Sequence, residues 1–191
     1  MPRAGLNRAA VVAAAAALAD EVGWEQLTLA GLAARLGVRL PSLYKHIDSL
    51  DGLRRDVAVL ALGELGAAIG GAAVGRGSGD ALRAVATAYR AYAHEHPGRY
   101  AATVRAPTPG DAGHAAAADA VLRTVFAVLA GYRLAGDDAV DTTRALRAAL
   151  HGFVVLEASG GFGLPVDVDR SYARLVDGLD ATLGRWASAV P

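Results

Sequence analysis

The 191 residues contain no cysteine. Disulfides and thiolate metal sites are therefore excluded, and the compartment is left open but consistent with the cytoplasm. An excess of one charge sign is also missing. The 19 basic and 19 acidic side chains cancel, which excludes a globally basic polyanion binder. The cancellation is slightly uneven: residues 1–55 hold seven Arg/Lys and five Asp/Glu, and the remainder holds twelve and fourteen. Lysine occurs once, as Lys45. Runs rich in Val, Ile and Thr with alternating polarity are absent, so no strand is expected. What is abundant is alanine, within a hydrophobic content of 53%. Alanine favours helix and lets helices approach closely, so the chain reads as all-α with enough apolar surface for a sizeable core.

Long hydrophobic runs are scarce. Arg3 and Arg8 precede a small apolar run at 11–19, which superficially resembles a signal peptide. That run is mostly Ala, Asp20 and Glu21 follow at once, and Val11, Ala15, Leu18 and Val22 share one helical stripe. An amphipathic helix is the better reading. No other run approaches the roughly 20 apolar residues that span a bilayer. Catalytic signals are missing too. There is no nucleophile–base pairing, no paired catalytic carboxylates, no zinc motif and no nucleotide loop, so an enzyme is not expected. His94-Glu95-His96 invites a metal reading, but residues two apart on a helix point about 200° apart. No metal site and no cofactor are expected.

Taken in order, Asn7 caps a first helix over 9–22, and Gly23 stops it. Thr28 caps a second helix over 29–36, with Leu29, Leu32, Ala33 and Leu36 facing inward. Gly37 supplies the positive φ of a turn, and Val38 plugs the core behind it. Pro41 fits the first turn of a third helix, whose inner side is Leu43 and Ile47. Ser42, Tyr44, Lys45 and His46 are left outward or sideways. Ser49 and Asp51 begin a fourth helix, weakened at its far end by Gly63, Gly66 and Gly70. A glycine-rich linker is expected at 70–79. Asp80 caps a fifth helix, and a short helix follows at 100–105, closed by Pro107 and Pro109. Longer helices are expected over 114–134 and from Asp137-Asp138 to 159, with a last one starting at Asp169. Nine helices result: a three-helix head over 1–48 and a helical body over 49–191.

The stretch LTLAGLAARLGVRLPSLYKHI, residues 27–47, has the outline of a helix-turn-helix that reads double-stranded DNA. Its Gly37-Val38, Leu43-Tyr44 and Lys45-His46 positions resemble the DNA-binding head of the tetracycline-repressor-like (TetR) transcriptional regulators. Length and all-helical body match as well. Leu150-His151-Gly152, with Gly160-Gly161-Phe162 downstream, resembles a subgroup with a Trp-His-Gly signature, Leu150 replacing the tryptophan. Three positions depart from the family pattern: Arg39 for a Ser/Thr cap, Leu50 for a lysine, and Ala30-Gly31 for polar residues.

The resemblance implies a ligand-responsive repressor that binds a palindromic DNA operator as a homodimer in the cytoplasm. A helical small-molecule-binding protein or scaffold with a non-functional head is the alternative. Tyr44 and His46, with Thr28, would reach phosphates; Leu40, Pro41, Ser42 and Lys45 would meet the major groove, and Arg39 would serve either. The family's cavity for a small-molecule effector would be lined here by Tyr89, Tyr92, Phe126, Tyr132, His151 and Phe153. Pairing with a second copy would use Leu146, Leu150, Phe153 and Val154 on one helix and Tyr172, Leu175, Val176, Leu179, Leu183 and Trp186 on the last.

Overall fold

The computed structural model describes residues 6–189, with side chains through 186. Among these residues are nine α-helices and one 3-10 turn, and no strand. They are α1 (Arg8–Val22), the turn Trp24–Gln26, α2 (Leu29–Leu36), α3 (Leu40–Leu43), α4 (Leu50–Ala73), α5 (Ser78–Glu95), α6 (Pro97–Ala102), α7 (Ala112–Ala130), α8 (Gly136–Ala158) and α9 (Val168–Ala189). Packing divides them into two compact units, Met1–Leu65 with Glu95–Asp119, and Gly66–His94 with Ala120–Pro191. The boundary expected at 48 falls inside the first unit, because the start of α4 and all of α6 pack with the head.

The first unit has one core. Val11, Ala15, Leu27, Leu32, Leu43, Leu53 and Val57 are fully buried in it, and Ile47 nearly so. The small apolar face of α1 is therefore spent on this core. Alanines there let α6 come very close: a Cβ added at Gly98 would lie 2.1 Å from the Ala19 carbonyl oxygen. Asp20 then accepts from the Arg99 amide at 2.8 Å, a carboxylate satisfying a first-turn donor of α6.

The second unit buries Leu82, Val85, Ala86, Leu129, Leu146, Leu150, Val154, Tyr172, Val176 and Leu183. Long-range hydrogen bonds tie its elements together, among them two to backbone carbonyls. Tyr172 donates to the Ala86 carbonyl at 2.7 Å and Ser78 to the Gly131 carbonyl at 3.0 Å.

Several expected boundaries move. α4 runs unbroken to Ala73, so the linker shrinks to a short turn before Ser78. Burial explains this, since Leu62, Leu65 and Ile69 pin the glycine-rich end. α5 begins at Ser78, which leaves Asp80 in its first turn, where a carboxylate suits the helix dipole. The short helix is Pro97–Ala102 rather than 100–105, because Pro97 opens a helix better than it ends one. α7 starts at Ala112 and stops at Ala130. α4 and α7 are each long and apolar enough, by length and composition, to cross a membrane, contrary to the expectation that no further run approaches that limit. In α4 the charges Asp51, Arg54, Arg55 and Asp56 lie in its first two turns, where Arg55 and Asp56 are engaged in ion pairs of the first unit.

Candidate nucleic-acid interface

The interface is built on two short helices and the turn between them. Thr28 caps α2 by accepting from the Gly31 amide at 3.1 Å. A Cβ at Gly31 would meet that same hydroxyl at 3.2 Å and Leu18 at 3.6 Å, so the cap and the α1 side chain favour glycine there. Gly37 is left-handed, with φ 65° and ψ 31°, and its amide closes α2 on Ala33 and Ala34. Val38 follows, bonded back to the Ala33 carbonyl at 3.0 Å. Arg39 occupies the cap position of α3 in extended conformation, without a side-chain cap bond. A guanidinium carries only donors, so it has no acceptor to offer the α3 amides.

α3 itself is only Leu40–Leu43, and residues 44–46 continue as turns. Leu43 and Ile47 anchor it at 0% and 2% exposure. Their spacing turns the intervening side chains out. Arg39, Leu40, Pro41, Tyr44 and Lys45 are exposed, as is Thr28, while Ser42 and His46 are half-buried. Tyr44 keeps 54% of its surface in solvent.

Electrostatics separates these residues from their neighbours. Arg8, Arg35, Arg55 and Arg99 are each paired with carboxylates. Arg54 lies 5.7 Å over the Trp24 ring. Arg39 and Lys45 form no ion pair among the described residues. Two unpaired cations, a phenol and a hydroxyl therefore share a rigidly backed surface. Such a set can hold phosphates and donate to guanine acceptors in a groove.

The six aromatic and histidine candidates for an effector cavity all belong to the second unit. Tyr92 and Tyr132 are buried. Tyr132 donates to Asp180, and burial together with that carboxylate pushes its pKa up. Phe153 packs on Phe162 and Tyr172, with ring centroids 4.7 and 4.9 Å away. Tyr89, Phe126 and His151 are half-buried. Burial lowers the His151 pKa, with the Arg147 charge as a smaller cause. A cleft of about 640 Å³ exists elsewhere, and none of the six lines it. Its floor is Thr87, Ala91, Ala173 and Val176, between α5 and α9. One end is closed by Arg83 with Asp177 and Asp180, at 2.9 and 2.8 Å. The other end is closed by Arg90 with Glu157 and Asp169, and by His94 at 2.8 Å from Glu157. Arg90 and His94 hold the Glu157 carboxyl down to about pKa 2. His96 turns instead to Asp20 at 3.5 Å, so the two histidines of the 94–96 triplet serve different carboxylates. The cleft has a sequence signature: Arg83, Thr87, Arg90 and His94 form a polar stripe on α5.

The proposed pairing face also divides. Leu146, Leu150, Val154, Tyr172, Val176 and Leu183 are at most 6% exposed within one chain. Within one chain they therefore pack as core, on the inner stripes of α8 and α9. Phe153, Leu175 and Leu179 are half-buried, and Trp186 is 45% exposed. Open apolar residues of α8 that the sequence reading left out are Val140, Val155 and Leu156.

A helix-turn-helix on a helical body, with an exposed cationic recognition segment, defines the class: a DNA-binding regulator. Comparison with known proteins agrees. Residues 82–179 match the family model described as Tetracyclin repressor-like, C-terminal domain. The chain is 39% identical over 183 residues to the uncharacterized HTH-type transcriptional regulator Rv0681 of Mycobacterium tuberculosis, covering 95% of this chain and 84% of that one. It is 34% identical over 168 residues to the HTH-type regulator YobS of Bacillus subtilis, covering 87% of each. Among solved structures, a single-substitution form of TetR from Acinetobacter baumannii AYE, in complex with minocycline, superposes with a TM-score of 0.73 at 25% identity. That match covers 97% of this chain and all of the other. The chain belongs to the TetR family. It is a DNA-binding transcriptional regulator rather than an enzyme.

Proposed function

We propose that the protein is a cytoplasmic repressor that binds a palindromic operator as a homodimer and is released by a small-molecule effector. Residues 1–48 read DNA, and residues 49–191 pair the heads and sense the effector. The observation that carries the reading is the unpaired, exposed state of Arg39 and Lys45 beside Tyr44 on a buried anchor of Leu43 and Ile47. Lys45, Ser42, Leu40 and Pro41 meet bases; Thr28, Tyr44 and His46 meet phosphates, and Arg39 serves either. Ala30, Gly31 and Leu50 thin the usual polar contacts, and Arg39 offsets part of that loss.

One head covers a single half-site, so specific binding needs two heads in neighbouring grooves, roughly 34–36 Å apart. Trp186, Leu175 and Leu179 of α9, with Val140, Val155 and Leu156 of α8, are the apolar side chains left open for pairing. The α5–α9 cleft is the best-supported effector site. Its volume suits a small ligand, and Ala91, Ala173 and Val176 between self-compensated ion pairs favour a largely uncharged molecule. Effector binding then acts by population shift, favouring settings of α4 in which two heads no longer match neighbouring grooves.

Selection of bound DNA from a random pool tests the reading directly. A palindrome with half-sites one helical turn apart is expected. Recovery of no sequence, or of a single half-site only, would overturn it. Light scattering tests pairing independently: a dimer is expected at micromolar concentration, and a monomer refutes it.

A further inference from the structure

The recognition segment is short, and besides its buried anchors Leu43 and Ile47 it is met by a polar contact from another helix. α3 has four residues, and the carbonyl at its trailing turn, that of His46, is met from outside by Arg8 at 3.5 Å. Arg8 is in turn fixed by Asp56 of α4, which accepts from its Nε at 2.8 Å and lies 2.7 Å from its Nη2. The Asp56 side chain is only 10% exposed. Its other oxygen accepts from Arg55 at 3.0 Å. Arg55 then forks onto Asp111, donating from Nε at 2.7 Å and from Nη2 to the second oxygen. Asp111 also caps α7, accepting from the His114 amide at 3.0 Å. The paired guanidinium, with that amide, holds the Asp111 carboxyl below the usual carboxylate range. These links join residues 48 and 56 positions apart in sequence, and all lie within the first unit.

Each link is built for position more than for net attraction. The Arg55–Asp111 pair is a two-bond fork, which fixes orientation as well as distance. Asp56 is shared by two guanidiniums and so sets their separation. α7 continues past Asp119 into the second unit. The cap of α7 is thus wired to the end of the reading segment by four alternating charges.

We propose that Arg8, Asp56, Arg55 and Asp111 form a positioning relay that sets the register of the recognition segment, so that operator affinity depends on Asp111, a residue of the α7 cap. The relay rests on the DNA-binding reading above.

The sign of the effect separates this relay from plain electrostatics. Removing an acidic side chain from a DNA-binding unit lessens repulsion of phosphate and tightens binding. A positioning residue does the opposite. Asp111→Asn and Asp56→Asn are therefore expected to weaken binding to the selected operator on the order of tenfold. Binding to unrelated duplex should stay equal or tighten. Arg55→Lys keeps every charge but loses the fork, and it too should weaken operator binding several-fold. The measurement is fluorescence anisotropy on selected and scrambled duplexes, with circular dichroism to confirm folding. Operator binding at or above wild-type affinity in the folded Asn variants overturns the relay. If those variants do not fold, Arg55→Lys decides: weakened binding supports the relay and wild-type affinity refutes it. If the unsubstituted protein recovers no DNA, the DNA-binding reading itself fails, and the relay fails with it.

Discussion

Replacing glycine by alanine should have opposite effects at two helical positions of this protein. Gly98 lies where α6 meets α1. A Cβ there would come within 2.1 Å of the Ala19 oxygen, 2.2 Å of its carbon and 2.6 Å of the Asp20 nitrogen. All three are backbone atoms, so no flexible side chain can swing away. The two helices must separate. Overpacking of this kind costs roughly 1–3 kcal/mol. Separation also weakens the 2.8 Å bond from the Arg99 amide to Asp20, a charge-assisted bond contributing about 1 kcal/mol or more. The combined loss is about 3 kcal/mol, which at this chain length lowers the melting temperature by roughly 10 °C. Gly63 is the control. It sits inside α4 with nothing within 4 Å of an added Cβ. Gly63→Ala should gain about 0.5–1 kcal/mol, since alanine loses less backbone entropy in a helix. Its melting temperature should rise by about 2 °C. Differential scanning fluorimetry of both variants is sufficient. A Gly98→Ala protein that melts within a degree or two of wild type would refute the close α1–α6 packing.

Three further outcomes are expected. Lys45→Ala should relax operator preference at one base position by roughly 1–3 kcal/mol, whereas Tyr44→Ala should weaken binding across all sequences; gel shifts on operator variants separate the two. Thr28→Ala removes the α2 cap and should destabilise by about 1 kcal/mol, read in urea titrations. The Glu157 carboxyl is held at about 2, below its ordinary 4.5, chiefly by Arg90. Because its folded value is depressed, the stability it contributes is present above about pH 4.5 and is lost as pH falls toward 2. Glu157→Gln should flatten that acid limb in melting curves taken between those pH values.

The head was legible because its signals are local. Asn7, Thr28 and Ser49 bond to amides three residues on, and Gly37 needs only its own φ. Leu32, Leu43 and Ile47 declare their burial by helical spacing. The body was legible only in outline. Leu146, Leu150, Val154 and Val176 are apolar at helical spacing whether they face their own core or a second copy, so periodicity alone could not assign them. Gly66 weakens the fourth helix by spacing alone and Gly70 opens the expected linker, yet α4 passes through both, because packing of Leu65 and Ile69 outweighs a local entropy cost.

The sequence by itself determined the all-helical class, the helix-turn-helix, its caps and its outward residues, since each rests on contacts within about four positions along the chain. The tertiary structure alone decided which apolar stripes are used up inside one chain, where a cleft opens, and that Arg8, Asp56, Arg55 and Asp111 join. Those outcomes depend on side chains brought together from distant segments. No local spacing encodes whether an aspartate at 111 will meet an arginine at 55.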